Sequence, residues 1–191
     1  MKNKKILLAI PSIILPYVLL LVLFTILSGS GNPISRFIIE DIFAGNGLLL
    51  FLAFCIFAFI SFVLNIIFFV LSIIKKWDEL YLAKVAMITK LIQIPSYIVI
   101  FVLGVFFTIT IFTFVFSILM FFFDYLTLIM TGLINSAAVI NASRKKAVSF
   151  GKNIWIIILQ FVFCADVVAS IIFYIKIKNI RRYSKNDISK Q

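Results

Sequence analysis

The sequence predicts an all-α polytopic transmembrane helix bundle of about five hydrophobic helices, a single integral membrane domain over residues 1–191. Three observations carry this prediction. Hydrophobic side chains make up 64% of the chain and charged ones 13%, against about 25% charged in ordinary soluble domains. The mean hydropathy is +1.22, which would leave a water-soluble fold without a surface. The 18 Lys and Arg, behind a net charge of +11, gather at the ends of apolar runs. That is the pattern of membrane-flanking anchors rather than of a nucleic-acid footprint, so the bilayer is the expected partner and nucleic acid is not.

The first helix is expected over about 6–28. Lys2, Lys4 and Lys5 precede an apolar run, Ile6 to Leu27, of 22 residues. A signal-peptide core is about 7 to 15 residues, whereas crossing about 30 Å of hydrocarbon takes about 20, so the run reads as an uncleaved anchor. The small residues Ser28, Gly29 and Ser30 keep cleavage open as the alternative. Pro11 and Pro16 each remove a helical hydrogen bond and are expected to bend this helix. In the connector that follows, Asn32 can cap and Pro33 can open a short helix ending near Gly45 and Gly47. Ile34, Phe37 and Ile38 share one side of it, which suits either a segment lying in the interface plane or a solvated loop.

The second helix, 47–74, stops at Lys75 and Lys76, followed by Trp77 and Tyr81, residue types that settle among headgroups. Lys84 and Lys90 complete a basic connector. From Leu91 to Ala142 the only formal charge is Asp124, over a length suited to two crossings, so a turn must be hidden there. It falls either near Thr113 to Ser117, with Thr113 as cap, or at Phe123 and Asp124. The first placement is preferred because it gives two helices of similar length, 91–114 and 116–142. Arg144, Lys145, Lys146 and Lys152 form the next basic connector. A fifth helix is expected over 154–175, then a basic tail, 176–191.

Five crossings would put the chain ends on opposite sides. With the N-terminus inside, eleven basic residues fall inside and seven outside, six of these in the tail, so the positive-inside rule gives a divided answer. The alternatives are an exceptional tail, a last run that re-enters without crossing, and a dual orientation.

Asp166 is the most informative residue, because it sits near the middle of the last apolar run. An ionised carboxylate there costs about 3 kcal/mol or more unless paired or hydrated. It must be protonated, paired or facing a cavity, which makes it a candidate proton site as well as candidate packing glue. Asp124 is a second such candidate, and with Thr127, Thr131, Asn135 and Ala138 it lines one stripe of a helix. Asn65, Gln93, Asn135 and Gln160 are read as polar groups that hold neighbouring helices. Gln160 and Asp166, six residues apart, would point about 120° apart on a continuous helix and so would not share a site. Gly132 with Ser136, and Ala165 with Ala169, have the small-xxx-small spacing of close helix contacts.

The chain has no histidine, and Cys55 and Cys164 lie in apolar runs without metal-type spacing, so neither a metal nor a cofactor is expected. No phosphate loop, catalytic carboxylate pair or nucleophile elbow occurs, and an enzyme is not expected. The 23 phenylalanines read as lipid-facing or packing surface.

Lys90 to Gly104, KLIQIPSYIVIFVLG, and Leu159 to Ser170, LQFVFCADVVAS, resemble segments of a family of small multi-spanning membrane proteins of low-GC Gram-positive bacteria with no established function. The resemblance covers the C-terminal half and implies a multi-pass protein of the bacterial plasma membrane. The expected role is non-enzymatic: an accessory, immunity-type or envelope component acting by helix packing, alone, as a homo-oligomer or with a partner membrane protein. On that reading Asp166→Asn should be tolerated. The rival is a small proton- or cation-linked transporter or channel using Asp166.

Overall fold

A computed structural model describes residues 6–109 and 113–188 of the chain. The described residues form α1 (Ile10–Ser28), a 3-10 turn (Gly29–Gly31), α2 (Pro33–Arg36), a π turn (Phe37–Ile42), α3 (Gly47–Ile74), α4 (Glu79–Ile109), α5 (Phe114–Arg144), α6 (Phe150–Leu159) and α7 (Ala165–Ile188). The all-α class is as the sequence predicts. Four helices, α1, α3, α4 and α5, are long and apolar enough to cross a membrane, and the chain is accordingly built as a multi-pass membrane protein.

Several boundaries follow from local chemistry. Pro11 falls in the first turn of α1, where its missing N–H costs nothing, so only Pro16 lies inside the helix. The Asn32 side chain accepts from the Ile34 N–H and caps α2, as expected. Asn46 does the same for α3, accepting from Leu48 and Leu49. The hidden turn falls between Ile109 and Phe114. Thr113 does not cap α5 with its side chain; its hydroxyl donates instead to the Phe107 carbonyl, while Thr108 and Ser117 hydrogen-bond across the turn at 2.8 Å. The basic connector expected up to Lys90 is already helical from Glu79, so α4 starts a dozen residues ahead of its predicted start.

The largest departure is in the last apolar run, which is two helices. The backbone from Gln160 to Val162 closes with three short-range bonds to Ile157, Ile158 and Leu159, and Cys164 adopts a left-handed φ of 64° before α7 begins. At about 1.5 Å per residue, the 10 residues of α6 are too short to cross. The helix pair then turns back. Lys176 of α7 donates to Asn153 in the first turn of α6 at 2.7 Å, and Arg181 pairs with Asp78 in the α3–α4 connector at 2.9 Å. The α6–α7 hairpin therefore begins and ends at the same end of the bundle.

That end is basic. Arg144 donates to the Ile73 carbonyl and Lys145 pairs with Glu79, tying the α5 terminus to the α3–α4 connector. Asn141 donates to the Ser72 and Trp77 carbonyls and closes the same corner. Burial alone would push the Asp78 carboxyl up, but the Tyr81 N–H and the Arg181 guanidinium hold it below the usual carboxylate range.

Two apolar clusters fill the bundle. One lies toward the basic end and includes Phe68, Trp77, Leu82, Ala86, Ile134 and Phe173. The other lies toward the opposite end and includes Leu15, Leu19, Phe54, Ile100, Met120 and Phe123. On five of the helices a group of buried polar residues falls toward the middle: Ser12 on α1, Ser61 and Asn65 on α3, Thr89 to Ser96 on α4, Thr127 to Asn135 on α5, and Asp166 to Ser170 on α7, while Thr25, Ser72 and Asn141 are buried nearer the ends. A buried polar belt thus crosses the middle of the bundle.

Candidate functional site

The belt centres on an ion pair that the sequence reading did not anticipate. Lys90 donates to the Asp166 carboxylate, with the two side chains 0% and 2% exposed. Lys90 lies 11 residues into α4, about 16 Å, which is half of a hydrocarbon core about 30 Å thick. The sequence places it in a membrane-flanking connector; the structure instead buries it inside the bundle, within a long apolar helix. Asp166 occupies the first turn of α7, where the positive end of the helix dipole also favours a carboxylate.

The break at 160–164 gives Asp166 its surroundings. On a continuous helix Gln160 would face elsewhere; after the turn its amide donates to the Asp166 carbonyl at 3.4 Å. Its side-chain oxygen accepts from Ser170 at 3.0 Å. Gln160, Ser170 and the Asp166 backbone therefore form one network, while the Asp166 carboxylate turns to Lys90, so the two side chains predicted to point apart are linked through the main chain.

Gly132 permits this approach. A Cβ placed there would lie 3.3 Å from both Gln160 Cβ and Gln160 O, so the hairpin rests directly on the α5 backbone. Gly132→Val should destabilise the folded protein by about 1–3 kcal/mol through overpacking. Denaturation in detergent micelles measures this, and a Val variant as stable as the parent would mean that the hairpin does not seat on α5.

On α4, Gln93 donates to the Ser12 carbonyl at 2.8 Å and accepts from the Tyr97 hydroxyl at 3.0 Å. Asn65 donates to the Ser12 hydroxyl at 3.2 Å. The Tyr97 ring meets Phe163, at the hairpin tip, edge-on. The predicted stripe of α5 is buried throughout: Asp124, Thr127, Thr131, Asn135 and Ala138 all point inward. Asp124 lies close enough to Lys90, Tyr97 and Asp166 to interact with each electrostatically. Its Oδ1 is buried without a hydrogen-bond partner, as are both side-chain polar atoms of Asn135.

The structure thus brings Asp166, Gln160, Gln93 and Asp124 into one belt, with Asn65 at its α1–α3 edge. The signal that could have found Lys90 is charge complementarity: a lone acid and a lone base, each adjoining long apolar runs, are costly apart and inexpensive together. No three potential metal-ligating side chains gather among the described residues.

Fold and site together define an all-α, multi-pass membrane bundle with an internal ion pair. Compared with known proteins, the chain matches no family model, no curated protein and no solved structure.

Proposed function

We propose that this chain is a non-enzymatic multi-pass protein of the bacterial plasma membrane that acts through its helix contacts, as an accessory, immunity-type or envelope component. The observation that carries this reading is what the buried polar side chains bind. Asn65 and Gln93 bind α1, Asn141 binds the α3–α4 corner, and Lys90 clasps the hairpin through Asp166. Each joins one element to another. The exposed faces of the bundle, among them Phe101, Phe106, Phe121 and Phe122, suit lipid and the helices of a second copy or a partner protein.

A second reading, proton- or cation-linked transport, is favoured by the non-helical turn at mid-depth and by the unpartnered Asp124 oxygen beside the pair. Flux in proteoliposomes under an imposed pH gradient decides between them. The packing reading expects no flux above that of protein-free vesicles. A pH-driven flux that disappears in Asp166→Asn would overturn it in favour of transport.

A further inference from the structure

The charges in the belt do not balance. Lys90 supplies one ammonium, while Asp166 and Asp124 supply two carboxyl groups within its electrostatic reach. Asp166 is satisfied by the ion pair, by its place in the first turn of α7, and by the Gln160 and Ser170 network around its backbone. Asp124 has none of these. It is 7% exposed, it lies in the interior of α5 rather than at a terminus, and its Oδ1 is completely enclosed without a donor. An ionised carboxylate in that position would be an uncompensated buried charge, which proteins avoid by pairing or neutralisation.

The other titratable groups do not supply the missing positive charge. From α4 the facing groups are Lys90, already engaged, and Tyr97, whose hydroxyl donates to Gln93. From α7 there is Asp166. Among the described residues, α1 brings Tyr17, whose hydroxyl donates to the Ile92 carbonyl, and α3 brings Cys55; Tyr125 on α5 itself is exposed. An alkali cation is poorly served, because hard cations take about six or more oxygens. The adjacent Thr127 and Thr131 hydroxyls are turned to their own helix carbonyls at 2.9 and 3.0 Å.

We propose that Asp124 is a proton-binding site, holding one proton so that Lys90, Asp166 and Asp124 form an electrically neutral triad inside the membrane. When the proton leaves, Lys90 faces two carboxylates and its clasp on the hairpin is shared between them. Proton binding here does not require transport: a failure to observe flux leaves this site standing, and a failure of this site leaves the packing reading standing.

Infrared difference spectroscopy of the full chain in lipid nanodiscs tests the proposal. The C=O stretch of a neutral carboxylic acid, shifted in D2O, should be present at neutral pH and lost in Asp124→Asn; in Asp166→Asn it should also be lost, because Asp124 is then the carboxyl left to balance Lys90. The proposal is overturned by no such band in the parent chain, by a band kept in Asp124→Asn, or by a band abolished on adding sodium or potassium salt at constant pH. Lys90→Met keeps the test decisive should Asp124→Asn fail to fold. Without the ammonium, Asp166 must also take a proton and a second acid band should appear, and its absence would equally overturn the proposal.

Discussion

Lys90→Met and Asp166→Asn, made singly, should each destabilise the folded protein by about 3–5 kcal/mol, the cost of breaking a buried ion pair and leaving one charge behind. The double variant Lys90→Met with Asp166→Leu should recover most of that loss, because two apolar side chains replace two charges that are costly to desolvate. Reversible unfolding in mixed micelles gives the three free energies, and the double-mutant cycle isolates the coupling. Additive losses would mean that the ammonium and the carboxylate do not meet. The expectation from sequence that Asp166→Asn is tolerated is thereby reversed. An amide at 166 keeps a hydrogen-bonding group, but it takes from the Lys90 ammonium, 0% exposed, the carboxylate it contacts directly.

The helices were legible where apolar length and charged ends set their limits. The 47–74 helix matches at both boundaries, because Asn46 caps one end and two lysines follow the other. The start of α4 is not legible, because Lys84 and Lys90 have the look of connector residues in sequence, whereas a helix that runs from Glu79 keeps its lysines within it. The break in the last run was illegible for a different reason. No Gly or Pro marks 160–164; Cys164 takes a left-handed conformation that non-glycine residues rarely adopt. The turn is fixed by tertiary contacts, Gln160 against Gly132 and Asp166 against Lys90, which no local pattern records. Asp124, Asn135, Gln93 and Gln160 were identified as buried polar groups from their apolar settings. Which of them would meet depended on a turn that only the assembled bundle defines.

The second large effect concerns which side of the membrane the chain ends face. With four helices long enough to cross and a hairpin that returns to the end it entered, α1 begins and α7 ends on one side of the bundle, unlike the five-crossing arrangement expected from sequence. Placing that side in the cytoplasm resolves the divided charge count. Among the described residues, Lys75, Lys76, Lys84, Arg144, Lys145, Lys146, Lys152, Lys176, Lys178, Arg181 and Arg182 then lie at the inner end and Arg36 at the outer one, with Lys90 buried between. A chain freed of Cys55 and Cys164, carrying Ser184→Cys or Asp41→Cys, should show opposite behaviour toward an impermeant thiol reagent. Asp41→Cys, in the exposed α2–α3 connector, should label in intact cells, and Ser184→Cys only after lysis. Labelling of Ser184→Cys before lysis would mean that the last run crosses the membrane. Asp166 would then sit on a spanning helix, Gln160 could no longer reach its carbonyl, and the Lys90 clasp would close a different pair of helices from the one described.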